Sequence, residues 1–73
     1  MSEVAAIGGQ PQVEGFALAG ARIYPADDPE RIRAAWRDLP DTVAIVILTP
    51  AAADALGDDR LAPHAPLTVV MPR

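Results

Sequence analysis

Thr42-Val43-Ala44-Ile45-Val46-Ile47-Leu48-Thr49 contains the strongest signal for the fold, because six apolar residues follow one another in it without a break. Four of the six are β-branched. A turn signal, Pro40-Asp41, precedes the run, and a helix-start signal, Thr49-Pro50, follows it. A short continuous apolar run of this kind predicts a strand covered on both faces, in a parallel sheet with helices above and below. We therefore expect residues 43–48 to form the central strand.

The size and composition of the chain define one small domain. Its 73 residues are enough for a single α/β domain over residues 1–73. The sequence has no cysteine, which excludes disulfides, thiolate nucleophiles and thiolate metal sites. Hydrophobic residues make up 51% of the chain and only three residues are aromatic, so small aliphatic side chains must fill the core.

The charge pattern argues against nucleic acid and against the membrane. The net charge is −4, lysine is absent, and the six arginines are spread from Arg22 to Arg73. A protein that binds the phosphate backbone of a nucleic acid needs clustered basic residues, so nucleic-acid binding is not expected. No basic residue precedes Arg22, which disfavours a secretory signal, and no apolar run is long enough to span a bilayer. We predict a cytoplasmic protein without direct membrane insertion.

The N-terminal part predicts a strand followed by a helix. Val4–Ile7 is a short apolar run ended by Gly8-Gly9, and apolar residues recur at helical spacing within residues 13–19. Gly20 is well placed to end this helix. Gly15 lies inside it at a cost of about 1 kcal/mol relative to alanine, which we interpret as close approach of the helix to the sheet.

The middle of the chain predicts a second strand and the best-marked helix. Arg22–Tyr24 is the strand. Asp28 is then a helix cap, with Pro29 at the first helical position and Glu30 near the positive end of the helix dipole. One apolar stripe follows at i, i+3, i+4 and i+7, formed by Ile32, Ala35, Trp36 and Leu39. We assign Trp36 to core packing in preference to a binding hot spot.

The C-terminal part predicts one more helix and one more strand. After the cap-and-proline signal Thr49-Pro50, the alanine-rich segment 51–56 forms a helix that ends at Gly57. Residues 58–66 are predicted to be a surface loop. Leu67–Met71 is the last strand, bounded by prolines on both sides.

The predicted order of elements defines the fold class. It is β-α-β-α-β-α-β, and right-handed crossovers arrange it as a four-stranded parallel sheet of order 2-1-3-4 flanked by short helices. This is an α/β fold with the outline of a truncated flavodoxin-like or receiver-like domain. Ligands of such sheets bind beyond the carboxyl ends of the strands, so the loops there are the places for a site.

The loop after the first strand does not match a nucleotide-binding motif. Gln10 and Pro11 occupy the wrong places for G-x-G-x-x-G, and Phe16 stands where a P-loop needs lysine. Glu14 would also repel phosphate. A minimal nucleotide-binding half-domain therefore remains only an alternative hypothesis.

The same positions exclude the phosphorelay chemistry of a receiver domain. A receiver needs acids after its first strand to hold Mg²⁺ and an aspartate at the end of its third strand. Gly8-Gly9 and Leu48-Thr49 occupy those places. A pseudo-receiver that acts as a signalling or interaction module without phosphorylation is still an alternative.

The remaining polar residues do not form a catalytic or metal constellation in the sequence. His64 is the single histidine and lies in a proline-rich loop, so we interpret it as solvated. We assign Asp27-Asp28 to capping and Asp58-Asp59 to a solvated tip. Thr42 and Thr49 have no neighbouring base. We therefore expect no enzyme activity and no cofactor or metal.

An apolar edge strand points instead to an interaction protein. Leu67–Met71 would present unpaired backbone groups and side chains such as Val69 and Met71, which natural proteins usually cover or use. We name Val69 and Met71 as partner-binding candidates.

Several segments together resemble the F subunit of the archaeal and vacuolar-type (A/V-type) rotary ATPases, over nearly the whole chain from Val4 to Pro72. The most specific is the Gly-Phe-x-Leu-Ala-Gly block of residues 15–20. The others are Val4-Ala5-Ala6-Ile7-Gly8, Asp27-Asp28-Pro29-Glu30, Ala44–Thr49 and Leu67–Pro72.

The resemblance implies a non-catalytic component of the central rotor stalk. Members of this family have a receiver-like parallel sheet and bind the long coiled coil of the D subunit, while other components of the enzyme carry out the ATP chemistry. The implied role is in ATP-driven or ATP-synthesising rotary ion transport, peripheral to the membrane. The family usually continues beyond its fourth strand into a C-terminal helical segment, whereas this sequence stops at Arg73.

Overall fold

Four strands alternate with helices along the chain, and the computed structural model describes residues 3–72. The strands are β1 (Glu3–Gly8), β2 (Arg22–Pro25), β3 (Val43–Leu48) and β4 (Leu67–Val70). The helices are α1 (Gln10–Ala17), α2 (Pro29–Arg37) and α3 (Pro50–Leu56), followed by a short 3₁₀ helix (Gly57–Leu61). No helix within residues 3–72 is long and apolar enough to cross a bilayer.

The sheet has the predicted topology. All its strand pairs are parallel and the order is β2-β1-β3-β4, which confirms the predicted fold class and the central place of β3. Ile7 of β1 lies beside Tyr24 of β2 on one side and Leu48 of β3 on the other. Side chains of paired residues in a parallel sheet point to the same face, so the register shows which residues share a face.

An irregularity at the start of β3 changes which side chains share a face. Glu3 pairs with Val43, but the next residue, Val4, pairs with Ile45, so Ala44 is an extra residue in β3. The extra residue reverses the alternation. Val43 therefore points to the same face as Val46 and Leu48, and all three are buried in one core cluster.

That face, which we call the closed face, is covered by α2 and α3. Ile32 of α2 and Leu56 of α3 are buried against it. Trp36 packs against the same cluster as a partly buried side chain, in agreement with its predicted core role. The sheet residues of this core are Ala5, Ile7, Val43, Val46 and Leu48.

The opposite face of the sheet is only half covered. Its single helix, α1, contacts β1 and β2, where it buries Ala6 and its own Val13 completely. The β3 residues on this face, Ile45 and Ile47, are only half buried. The prediction that β3 is covered on both faces therefore holds fully for the closed face and only in part for this one. The hydrophobicity of a strand does not show whether a helix lies directly over a given face or only over the neighbouring strands.

Helix α1 begins earlier than the sequence predicted. It starts at Gln10, because Pro11 fits the first turn, where its missing N–H is not needed. Gly20 ends the helical segment as predicted. Its φ is +90°, the Ala21 N–H donates to the Phe16 carbonyl, and the Gly20 N–H donates to the Ala17 carbonyl, which is the Schellman pattern.

The interpretation of Gly15 is wrong. The residue is exposed, and a Cβ built on it would have no atom within 4 Å. No close approach to the sheet requires glycine at this position. The predicted loop over residues 58–66 also begins with helical structure, because the 3₁₀ helix continues the chain beyond Gly57.

Glu3 ties the amino ends of three strands together. Its carboxylate accepts a hydrogen bond from Thr42 Oγ1 next to β3 and one from Arg22 Nε of β2 at 2.8 Å. The Thr42 hydroxyl, followed by the Arg22 guanidinium, lowers the pKa of Glu3. The same carboxylate raises the pKa of Arg22.

The two glycines of the α1 region predict opposite effects on stability. Gly15→Ala should raise the free energy of unfolding by roughly 0.5–1 kcal/mol, because alanine is the better helix former. Gly20→Val should lower it by at least about 1–2 kcal/mol, because a side chain is strained at positive φ. Urea unfolding monitored by circular dichroism measures both. Equal stability of Gly20→Val and wild type would reject the assigned cap.

The Glu3 network predicts a specific dependence on pH. A carboxylate with a lowered pKa in the folded state stabilises the fold above its unfolded-state pKa, near the ordinary value of 4.5, and loses that effect as the pH falls through the folded-state pKa. Glu3→Gln should therefore be less stable than wild type at neutral pH, with the difference shrinking in acid. Glu14→Gln, an exposed change on α1, is the control. A pH-independent difference would contradict the assignment.

Candidate functional site

A cleft lies at the carboxyl ends of the strands, where this class of sheet binds ligands. Its volume is about 530 Å³. Loops after β1, β2 and β3 build it, together with the first turns of α1 and α3. The polar side chains in its lining are Gln12, Asp27, Thr49 and Asp54.

Thr49 has a structural role in this cleft. Its side chain is only 5% exposed, and its hydroxyl oxygen accepts a hydrogen bond of 3.1 Å from the Ala52 N–H, which caps α3. A Cβ at Gly8 would lie 2.1 Å from Thr49 Cγ2, so β1 approaches α3 too closely for any other residue. The threonine therefore joins the end of β1 to the start of α3.

The loop after β1 is crowded by polar side chains. A Cβ at Gly9 would lie 2.5 Å from Gln12 Oε1 and 2.7 Å from Asp27 Oδ1. The carboxylate of Asp27 therefore stands beside the loop that holds phosphate in nucleotide-binding relatives of this fold, where a negative charge opposes phosphate.

Two acidic side chains belong to the cleft. Asp27 and Asp54 both line it, but no group of three or more histidine, cysteine or acidic side chains comes together within residues 3–72. At the strand ends where a receiver needs acids, the structure places Gly8-Gly9 and Leu48-Thr49, as the sequence indicated.

His64 and the pair Asp58-Asp59 lie away from this cleft. Asp58 and Asp59 are exposed in the 3₁₀ helix, and His64 is exposed in the turn that follows. Asp59 and His64 border a second cleft of about 340 Å³, whose inner wall includes Trp36 and Leu39. The structure brings neither residue to the carboxyl ends of the strands.

The other prominent surface is the uncovered part of the α1 side of the sheet. We call it the open sheet face and define it as Ile45 and Ile47 of β3 with Leu67, Val69 and Met71 of the β4 region. Ile45 pairs with Leu67 and Ile47 with Val69, so these side chains lie side by side. Leu67 is 67% exposed and Val69 is 51% exposed.

The open sheet face contains both predicted partner-binding candidates. Strand β4 ends at Val70, but the Met71 N–H still donates to the Leu48 carbonyl at 2.8 Å, so Met71 continues the alternation of β4. Val69 and Met71 therefore point to the same face. Leu67 lies in the predicted edge strand but was not named as a candidate, and Ile45 and Ile47 are accessible only because the sheet is half covered.

The fold and these surfaces define a small parallel α/β domain with an apolar sheet face left open. The sequence matches the family model of the ATP synthase (F/14-kDa) subunit over residues 4–72, so the chain belongs to that family. This confirms the resemblance to the F subunit of the A/V-type ATPases.

A solved structure agrees with the family assignment. The F subunit of the V-type ATP synthase from Archaeoglobus fulgidus superposes with a TM-score of 0.61 at 26% sequence identity. The match covers 93% of this chain and 96% of the archaeal chain. The comparison with curated proteins gave no significant match.

The structural role of Thr49 is testable. Thr49→Val keeps the shape of the side chain but leaves the buried Ala52 N–H without its acceptor, so we expect a loss of roughly 1–2 kcal/mol in the free energy of unfolding. Thr68→Val is the matched control, because Thr68 is half buried in β4 and caps no helix. Equal urea midpoints for the two variants would contradict the assignment.

Proposed function

We propose that this chain is a non-catalytic component of the central rotor stalk of an A/V-type ATPase and that it binds the coiled coil of the D subunit. In this role it connects, through that coiled coil, to the catalytic head and the membrane rotor, and it contributes to rotary ion transport from the cytoplasmic side of the membrane. Membership of the ATP synthase (F/14-kDa) family supports the proposal.

One structural observation carries the proposal. A chain of 73 residues leaves five apolar side chains of its sheet partly or largely uncovered, while five sheet side chains of the closed face are buried in one core cluster. Exposed apolar surface of this kind marks a site of protein interaction. The cleft at the strand ends has a different character, because Thr49 caps a helix and the Asp27 carboxylate opposes phosphate.

Co-expression with the D subunit homologue encoded in the same genome tests the proposal. We expect the two chains to co-purify as a stable complex at micromolar concentration. Separation of the two chains on size exclusion at that concentration would contradict the proposal.

The same preparation tests the nucleotide-binding alternative. Because the Asp27 carboxylate lies beside the loop after β1, we expect ATP with Mg²⁺, or NAD, to leave the melting temperature of the chain unchanged. A clear rise on adding either nucleotide would favour a nucleotide-binding half-domain instead. Asp27→Asn then serves as the matched variant, since it removes the opposing charge.

A further inference from the structure

We propose that the open sheet face binds a single amphipathic helix of the partner, which lies along β3 and β4 beside α1, and that the free edge of β4 does not accept an added strand. This inference rests on the proposed function, because it takes the partner helix to be one of the helices in the coiled coil of the D subunit. It adds the surface, the binding mode and the chemistry of the partner.

The width of the uncovered strip fits one helix. Neighbouring strands lie about 4.8 Å apart, so β3 and β4 together present a strip roughly 10 Å wide. An α-helix with its side chains is about 10–12 Å across. Because α1 already occupies the half of this face above β1 and β2, the partner helix would be its neighbour.

The side chains of the strip fit the apolar stripe of a helix. Leu67, Val69 and Met71 follow one another at about 6.6 Å along the β4 side, since every second residue of a strand faces the same way. A helix repeats its apolar stripe about every 5.4 Å. Three apolar residues over two to three turns of the partner would therefore cover the strip.

The charges around the strip on this chain indicate which residues should flank the apolar stripe of the partner helix. The strands that form the strip, β3 and β4, contain no charged residue, and the helix beside it, α1, contains one, the acidic Glu14. The whole chain carries a net charge of −4. A helix with lysine or arginine beside its apolar stripe is complementary to this surface, whereas acidic flanks would be repelled.

The free edge of β4 is protected against strand addition. In a parallel strand the N–H and C=O of one residue point to the same side, and the next residue points to the other side. The Met71 N–H donates to Leu48 of β3, so the even-numbered residues of the β4 region point outward. Those outward positions are Pro66, Thr68, Val70 and Pro72.

Two of these four outward positions have no N–H to offer, because they are prolines. An added strand would find only the donors of Thr68 and Val70. Proline on a sheet edge is a known protection against edge-to-edge pairing. The apolar side chains of β4 are therefore the binding surface, and its backbone edge is not.

The test uses the complex of this chain with the D subunit homologue and compares three variants by titration. Val69→Asp places a charge in the open sheet face and should weaken binding at least about tenfold. Leu61→Asp is the matched control, since Leu61 is 68% exposed in the 3₁₀ helix after α3, whereas the proposed partner lies beside α1. Val70→Pro removes an outward N–H from the β4 edge. Both of these variants should bind within about twofold of wild type.

Folding of each variant is checked by its urea midpoint, and Leu67→Asp replaces Val69→Asp if the latter unfolds. If wild type binds the coiled-coil partner and Val69→Asp retains full affinity, the proposed surface is overturned while the proposed function stays intact. Loss of binding by Val70→Pro would establish strand addition and overturn the proposed mode. The chain could instead self-associate in competition with the coiled-coil partner and lose this self-association in Val69→Asp. That result would show that a second copy occupies the open sheet face and would also overturn the proposal.

Discussion

The right-handed connection between parallel strands determines which face of this sheet each helix covers. With strand order β2-β1-β3-β4, the connection from β1 to β2 runs in one direction across the sheet. The connections from β2 to β3 and from β3 to β4 run in the other. Right-handed connections then place one helix on one face and two helices on the opposite face. Two helices cover most of the closed face, and a single short helix covers only half of the other. The open sheet face therefore follows from the topology.

The local sequence reinforces this asymmetry. The extra residue Ala44 in β3 turns Val43 toward the closed face, so that three β3 side chains contribute to the core there. Small residues at Ala52 and Ala53 bring α3 close to the sheet on the same side. Thr49 and Gly8 fix the junction between β1 and α3. Thr49 and Gly8 lie at the strand ends, where sheets of this class have their reaction sites, but here they serve the packing of the closed face.

Sequence alone predicted the elements and their order, because each has a strong local signal. Asp28-Pro29 and Thr49-Pro50 start helices, Gly20 ends one, and the apolar run of residues 43–48 identifies the central strand. The errors share a cause. The accessible face of β3 and the open surroundings of Gly15 both depend on where α1 lies relative to the sheet. The spacing of apolar residues in the sequence does not predict that position. Val69 and Met71 were predictable as edge-strand residues, whereas Ile45 and Ile47 needed the coordinates.

The two faces of β3 can be compared directly, because the chain contains no natural cysteine. Single variants Val46→Cys and Ile47→Cys place a thiol at adjacent residues of the same strand, one on the closed face and one on the open sheet face. The decisive measurement is the rate at which each thiol reacts with a small water-soluble reagent in the folded protein. We predict rapid reaction at residue 47 and, at residue 46, reaction only as fast as the protein unfolds. Equal protection of both thiols would show that the second face is covered and would contradict the account.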